Sequence, residues 1–357
     1  MFPKSFDKLD ERKKSNTFRS LQINAAQVDF YSNDYLGISN QLSKIELNHA
    51  GSTGSRLISG NSIEAENCER FLAEFFETES ALVFNSGYDA NLGLLSSIGE
   101  RHDTIIYDEL VHASIRDGIR LSLSKSYSFK HNSLENLIQK LDHAIGDVFV
   151  VVESLYSMDG DFAPIKEIIA LKEKYNFYLI VDEAHACGIL GKDGKGLSFE
   201  FNSQIFAKII TFGKAYGAHG AAVLGTKELI TYLINFARSF IYTTALPTSQ
   251  YKVIKEAIML SLIEQNKLLL FDNIQYFTSK SKGQLLYENP LSPIQIIQFP
   301  DKDKLIKLGQ LLAEANFAVK LIVSPTVPIN SERIRICIHA FNTKKEIDTF
   351  SEILKSF

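Results

Sequence analysis

Two short segments carry the residues best suited to chemistry. Phe177-Tyr178-Leu179-Ile180-Val181-Asp182-Glu183-Ala184-His185 and Lys208-Ile209-Ile210-Thr211-Phe212-Gly213-Lys214 each start as an apolar β-type run and end abruptly in polar residues. Together they offer a carboxylate, an imidazole and a primary amine from the ends of two expected strands. Pyridoxal phosphate asks a protein for that trio: an acid for its ring nitrogen, a lysine for its aldehyde and a donor beside its phenolic oxygen. If the two ends converge, the chain is an enzyme and Lys214 carries the cofactor. Each residue also has a duller use. An acidic residue that closes a strand is ordinarily a turn former or a helix cap, and a lysine after a glycine is ordinarily a solvated surface residue. Lys214, however, sits among Gly213, Ala215, Gly217, Ala218, Gly220, Ala221 and Ala222, small neighbours that leave room for a bulky ring. Asp182-Glu183-Ala184-His185 also spells a helicase box, but that use requires a phosphate loop G-x-x-x-x-G-K-[ST], and Gly213-Lys214 is followed by Ala215.

Other residues fall into place around these. Asn85-Ser86-Gly87-Tyr88-Asp89-Ala90-Asn91 follows an expected strand and opens an expected helix, so the N–H groups of Ser86, Gly87 and Tyr88 would sit at a positive helix end that suits a phosphate. The alternative is an ordinary turn with Ser86 as cap. Thr211 could place a hydroxyl on the same phosphate. His112 and Ser157 each follow an expected strand; alone, either reads equally as a hydrogen-bonded rim residue. Arg333 and Arg335 alternate with Ile334, Ile336 and Ile338, which puts both guanidinium groups on one strand face, as a solvated edge or as a clamp for a substrate carboxylate.

The elements that must position these residues alternate. Residues 81–84, 104–107, 148–153, 178–182, 208–211 and 221–225 read as strands, and residues 63–77, 88–98 and 165–175 as helices. This alternation predicts an α/β fold with a mostly parallel sheet covered on both faces, whose ligands sit beyond the carboxyl ends of the strands. The tail changes character: one long helix over 252–272, strands over 294–299, 318–322 and 333–339, and a closing helix. The expected division is an N-terminal arm (1–37, helical over 7–21), a large cofactor-binding domain (38–258) and a small α+β domain (259–357).

Bulk properties agree. The 357 residues are 45% hydrophobic with a net charge of −4, an ordinary globular composition that argues against broad nucleic-acid binding. Cys68, Cys187 and Cys337 fit neither a disulfide framework nor a metal site, so no metal and a reducing, cytoplasmic setting are expected. The start of the chain shows no secretory signal, and no apolar run reaches the length of a membrane span.

Several motifs are specific in combination: Tyr31-Ser32-Asn33-Asp34-Tyr35-Leu36-Gly37, the glycine-rich run from Gly51-Ser52-Thr53-Gly54-Ser55-Arg56 to Ser59-Gly60-Asn61, Ser157-Met158-Asp159-Gly160-Asp161, Asp182-Glu183-Ala184-His185, Thr211-Phe212-Gly213-Lys214 and Tyr242-Thr243-Thr244-Ala245-Leu246-Pro247. On them the chain resembles the α-oxoamine synthases, a branch of the fold type I pyridoxal-phosphate enzymes, from about residue 8 to its end. The resemblance implies a seven-stranded, mostly parallel sheet plus a smaller C-terminal α+β domain. It also implies a homodimer with shared active sites and an acyltransferase that joins an amino acid to an acyl thioester with loss of carbon dioxide. Residues 51–61 look most like the member that uses L-alanine and a pimeloyl thioester; glycine with an acetyl group, or serine with a palmitoyl group, is the alternative. The roles implied are Lys214 binding the cofactor and moving the substrate Cα proton, Asp182 on the ring nitrogen, His185 on the phenolic oxygen and His112 stacked on the ring. Gly87, Tyr88, Ser157 and Thr211, with Thr243 or Thr244 of a second subunit, would hold the phosphate, Arg335 the amino-acid carboxylate and Arg19 the acyl substrate. The chain departs from the family's pattern in the short span between Gly37 and Gly51, and in carrying His339 and Asn342.

Overall fold

The computed structural model describes residues 6–14, 18, 21, 27–43, 45, 50–299, 301–324 and 327–357. Contacts divide the chain into two compact units: a larger one of Asn33–Ser157 and Asp161–Leu268, and a smaller one of Met1–Ser32, Met158–Gly160 and Leu269–Phe357. Among the described residues no helix is long and apolar enough to cross a membrane.

Helix α1 (Asp7–Lys14) and the two-residue strand β1 (Val28–Asp29) belong to the smaller unit. Of the arm predicted to be helical over 7–21, residues 15–17, 19 and 20 lie outside the described residues. The larger unit opens with α2 (Ile38–Leu42) and α3 (Ile63–Phe76). Strands and helices then alternate: β2 (Ser80–Phe84), α4 (Gly87–Ser97), β3 (Thr104–Asp108), α5 (Ala113–Leu121), β4 (Lys125–Phe129), α6 (Leu134–Leu141), β5 (Val148–Glu153), α7 (Ile165–Ala170), β6 (Tyr178–Asp182), β7 (Ile205–Thr211) and β8 (Ala221–Gly225). Helices α8 (Lys227–Phe236), α9 (Arg238–Ile241) and α10 (Thr248–Ser261) follow. Helix α11 (Glu264–Lys280) comes next, so the single helix predicted over 252–272 is two, with no glycine or proline at the break.

Seven strands form one sheet in the order β2-β8-β7-β6-β5-β3-β4. Only β8 runs against the others. Every residue of β5 is buried, as befits a central strand covered on both faces. Because side chains alternate along a strand, Val151 and Ile180 enter one core with Leu82, Ile105, Ile209 and Val223. Val150, Val152, Leu179 and Val181 enter the other, with Ile106 and Ile168. Each fully buried Val, Leu or Ile contributes about 1.5–3 kcal/mol. Strand β4 (sequence Lys-Ser-Tyr-Ser-Phe) is at the sheet's edge with four of its five residues exposed, which is why apolar patterning does not reveal it.

The turn after β4 is fixed by charge. His131 Nδ1 lies 2.9 Å from Asp108 Oδ1 and Nε2 lies 2.7 Å from Asp161 Oδ2. Burial opposes the charged ring, but the two carboxylates outweigh it and push the pKa up to about 10.

The smaller unit continues with β9 (Ile294–Gln298), α12 (Lys302–Glu314), β10 (Phe317–Ala318), β11 (Lys320–Ile322), β12 (Arg333–Cys337) and α13 (Lys344–Lys355). Strands β11, β12 and β9 form an antiparallel sheet, and β1 pairs in parallel with β10. Rings of Phe30 and Phe350 stack at 4.5 Å, with Phe317 edge-on to Phe350 at 5.3 Å. Strand β12 is the middle strand of its sheet, so Arg333 and Arg335 are buried rather than on a solvated edge. Arg333 pairs with the Asp159 carboxylate, and Arg335 Nη1 reaches Cys337 Sγ at 3.0 Å. His339 and Asn342 are buried as well. Asn342 Oδ1 accepts the His339 N–H at 2.8 Å and its Nδ2 donates to Asp29 O at 2.9 Å, tying the end of β12 to β1.

Candidate active site

In the larger unit the parallel strands β2, β3, β5, β6 and β7 end at one rim of the sheet. Each delivers a polar group there: β2 leads into Ser86 and Gly87, β3 into His112, β5 ends in Glu153, β6 in Asp182, and β7 in Thr211 with Lys214 three residues on. They line one cavity of about 250 Å³. Apolar runs make these strands because both faces of the sheet are covered; the run stops where the chain leaves the sheet, and there a polar residue can face the ligand side.

Lys214 is half-buried on a tight turn between β7 and β8. Its carbonyl accepts the Gly217 N–H at 2.8 Å, and Ala218 N donates to Phe212 O at 2.7 Å. Gly217 has φ +61°, and a Cβ there would lie 2.4 Å from Ser39 N, so only glycine closes this turn. Asp182 is buried. Its Oδ1 accepts the Ala184 N–H at 2.9 Å and its Oδ2 accepts Asn91 Nδ2 at 2.8 Å. Each oxygen keeps a lone pair for a further donor. His185 is buried with Nδ1 2.8 Å from the Tyr35 hydroxyl. Helix α4 starts at Ser86, whose hydroxyl accepts the Asp89 N–H, and the first-turn N–H groups of Gly87 and Tyr88 have no intrahelical acceptor.

Pyridoxal phosphate fits this donor set. A Cβ on Gly87 would lie 2.5 Å from Thr211 Cγ2, so glycine alone lets the helix start approach Thr211 and form an anion cradle. A buried carboxylate, an imidazole and an amine line the same cavity.

Of the residues singled out from sequence, Gly87, Tyr88, His112, Asp182, His185, Thr211 and Lys214 line the cavity together. Ser157 does not line it; its N–H points to Glu153 Oε2 at 3.3 Å. Thr243 and Thr244 lie beside Asn85, whose Nδ2 donates to Thr243 Oγ1 at 3.0 Å and to Thr244 O at 2.9 Å. Arg335 lies in the smaller unit and Arg19 outside the described residues. Glu183, inside the Asp-Glu-Ala-His run, is structural: it accepts from Ser154 Oγ at 2.6 Å and from the N–H of Ser198 at 2.6 Å.

Glu153 is one of the wall residues that the sequence does not single out. It closes an apolar run as Asp182 does, so the signal was present. It pairs in register with Asp182 on the neighbouring strand, and its Oε1 accepts the His112 N–H at 2.5 Å. Burial first, then the charge of Asp182, pushes its pKa up to about 8 from 4.5, against the pull of Lys214 and two backbone N–H groups. The folded state therefore holds this proton more tightly than the unfolded chain. The associated stability is complete below about pH 4.5 and is lost as pH rises through about 8. The cofactor-free protein should lose thermal stability across that window, and Glu153→Gln should lose less. Equal losses by calorimetry would refute the assignment.

Residues 25–354 match the family model described as aminotransferase class I and II. The chain is 39% identical to 8-amino-7-oxononanoate synthase of Emericella nidulans, covering 93% of this chain and 90% of that one. It is 35% identical to the enzyme of the same name from Thermoanaerobacter pseudethanolicus, covering 98% and 95%. Among solved structures, Sphingomonas wittichii serine palmitoyltransferase superposes with TM-score 0.89 at 26% identity, over 99% of this chain and 97% of that one. The 8-amino-7-oxononanoate synthase of Francisella tularensis superposes with TM-score 0.78 at 31% identity, over 93% and 97%.

Proposed function

The chain belongs to the class I and II aminotransferase family, and from that premise we propose that it is a pyridoxal-phosphate acyltransferase of biotin biosynthesis. It condenses L-alanine with a pimeloyl thioester, of coenzyme A or of a carrier protein, to give 8-amino-7-oxononanoate, carbon dioxide and the free thiol. The observation that carries this is the delivery of Asp182 and Lys214 to one cavity by the adjacent strands β6 and β7.

A carbon–carbon bond forms between alanine Cα and the thioester carbonyl; the C–S bond and the bond from Cα to the carboxylate break, and the departing thiolate takes one proton from solvent. The bound cofactor supplies an electron-poor ring that takes up the electron pair released at Cα. Lys214 would hold the cofactor through its amine and would take up and return the Cα proton. Asp182, braced by Asn91 and the Ala184 N–H, would offer its carboxylate to the ring nitrogen. His185, braced by Tyr35, would serve the phenolic oxygen. His112 would support the ring, and the first-turn N–H groups of Gly87 and Tyr88 would hold the phosphate with the Thr211 hydroxyl. A second copy of the chain completes the site with its Thr243 or Thr244, as the resemblance to the α-oxoamine synthases implies. Cys68, Cys187 and Cys337 are all buried thiols, which suits a reducing cytoplasm.

The higher TM-score favours serine palmitoyltransferase as a second reading. Backbone superposition does not report side chains, however, and identity is higher to the 8-amino-7-oxononanoate synthases, so the substrate follows them. The test is thiol release by the purified, cofactor-loaded protein with three pairs: alanine and pimeloyl-CoA, glycine and acetyl-CoA, serine and palmitoyl-CoA. The expected result is release with the first pair, together with the mass of 8-amino-7-oxononanoate. Release only with the second or third pair overturns the proposal.

A further inference from the structure

His112 is the N-cap of α5, and the cap is its ring. Nδ1 accepts the N–H of Ser114 at 3.2 Å. A backbone N–H can only donate, so Nδ1 carries a lone pair and not a proton. The Ser114 hydroxyl lies 2.8 Å from the same nitrogen. Asn91 orients the hydroxyl that makes this second bond. Its Nδ2 donates to Ser114 Oγ at 3.1 Å and, with its other hydrogen, to Asp182 Oδ2 at 2.8 Å. The reversed amide would turn an oxygen toward a carboxylate, so the amino group faces Asp182. Because Nδ1 has no hydrogen to give, Ser114 turns its own hydrogen to His112 and accepts the Asn91 N–H on its oxygen. The chain of donors runs one way, from Asn91 through Ser114 to Nδ1.

We propose that Ser114 and Asn91 are positioning residues that hold His112 as the neutral tautomer with its proton on Nε2, so that the cavity meets an uncharged N–H donor there. Protonating Nδ1 would remove the cap from α5 and set a positive charge at the positive end of that helix. The titratable groups around the ring are Asp182 on β6, Lys214 after β7, Asp117 on α5 and Glu153 on β5, which holds the backbone N–H of His112. Burial is the largest influence; Lys214 acts with it and Asp182 and Asp117 against it, and the ring's pKa falls below 6.5. Neutral imidazole at a helix N-terminus can polarise a carbonyl or carboxylate oxygen without surrendering its proton. It also suits the face of a pyridinium ring, where an imidazolium would set two like charges in contact. This use rests on the cofactor reading above; the tautomer itself does not.

Two-bond ¹H–¹⁵N correlation spectra of the imidazole rings, recorded with and without pyridoxal phosphate at pH 7, test it. His112→Gln identifies the signal. The expected wild-type result is a bare Nδ1 and a protonated Nε2 in both forms. In Ser114→Ala and Asn91→Ala the ring should show partial protonation of Nδ1, with turnover lowered roughly tenfold. Ser114→Thr, which keeps the hydroxyl, should restore both. A proton on Nδ1, or on both nitrogens, in the wild-type protein overturns the proposal, and so does a wild-type ring spectrum in both Ala variants. Failure of the substrate assay with all three pairs, beside the expected ring spectrum, would instead count against the function and leave the tautomer standing.

Discussion

Lys214→Ala should lower formation of the aminoketone by at least about 10³-fold, because among the described residues no other amine of the cavity wall is there to bind the aldehyde or carry the Cα proton. The fold should survive. The turn is held by the Lys214 carbonyl and by Gly217, Ala218 and Gly220, none of which uses the Lys214 side chain. Borohydride reduction of the loaded wild-type protein should leave the cofactor's mass on the peptide containing Lys214, and the variant should show no such adduct. Lys214→Arg, which keeps a positive charge but cannot form the link, should behave like the alanine variant. An adduct on another lysine, or turnover within tenfold of wild type, would sink the assignment.

Asp182→Asn should have the second largest effect, a fall in kcat of about 10²–10³. Two causes act together. The charge opposite the ring nitrogen disappears, and an amide has only one oxygen where Asp182 uses two, for the Ala184 N–H and for Asn91 Nδ2. Its amino group must therefore face the Ala184 N–H, or face Asn91 and turn that amide over so that its bond to Ser114 is disturbed. Either outcome should destabilise the fold by about 1–3 kcal/mol. Because Asn91 also holds Ser114, the loss should reach His112, so the variant's ring spectrum should change as well. Turnover within threefold of wild type, with unchanged melting, would show that the carboxylate does neither job.

Much of this site is legible in the sequence. Asp182 and Lys214 stand out because buried parallel strands are nearly all apolar, so the residue that ends the run is conspicuous. Glu153 closes Val148–Glu153 in the same way yet passes for a strand end, since nothing local says that it pairs with Asp182 across the sheet. Asn91 and Ser114 are less visible still. An asparagine within a helix and a serine at a helix start are ordinary residues, and only the packing of α4 beside α5 makes them a connected chain to His112. Strand β4 hides because an exposed edge strand carries no apolar pattern, and the break between α10 and α11 hides because the helical period runs through it. Arg333 reads from its alternation as a solvated edge or a carboxylate clamp, whereas β12 is flanked on both sides and the guanidinium is spent on Asp159.

The linear chain by itself determined the strands of the larger unit other than β4, that they run mostly parallel, and which side chains stand at their carboxyl ends. Those follow from local periodicity and from the right-handed, helix-covered geometry that parallel strands require. Tertiary structure decided the strand order, and with it which strand ends are neighbours. It placed Glu153 against Asp182, Tyr35 on His185, and Asn91 between Asp182 and Ser114. Charge state, tautomer and hydrogen-bond direction depend on distances of about 3 Å between residues far apart in sequence, and no local pattern encodes those.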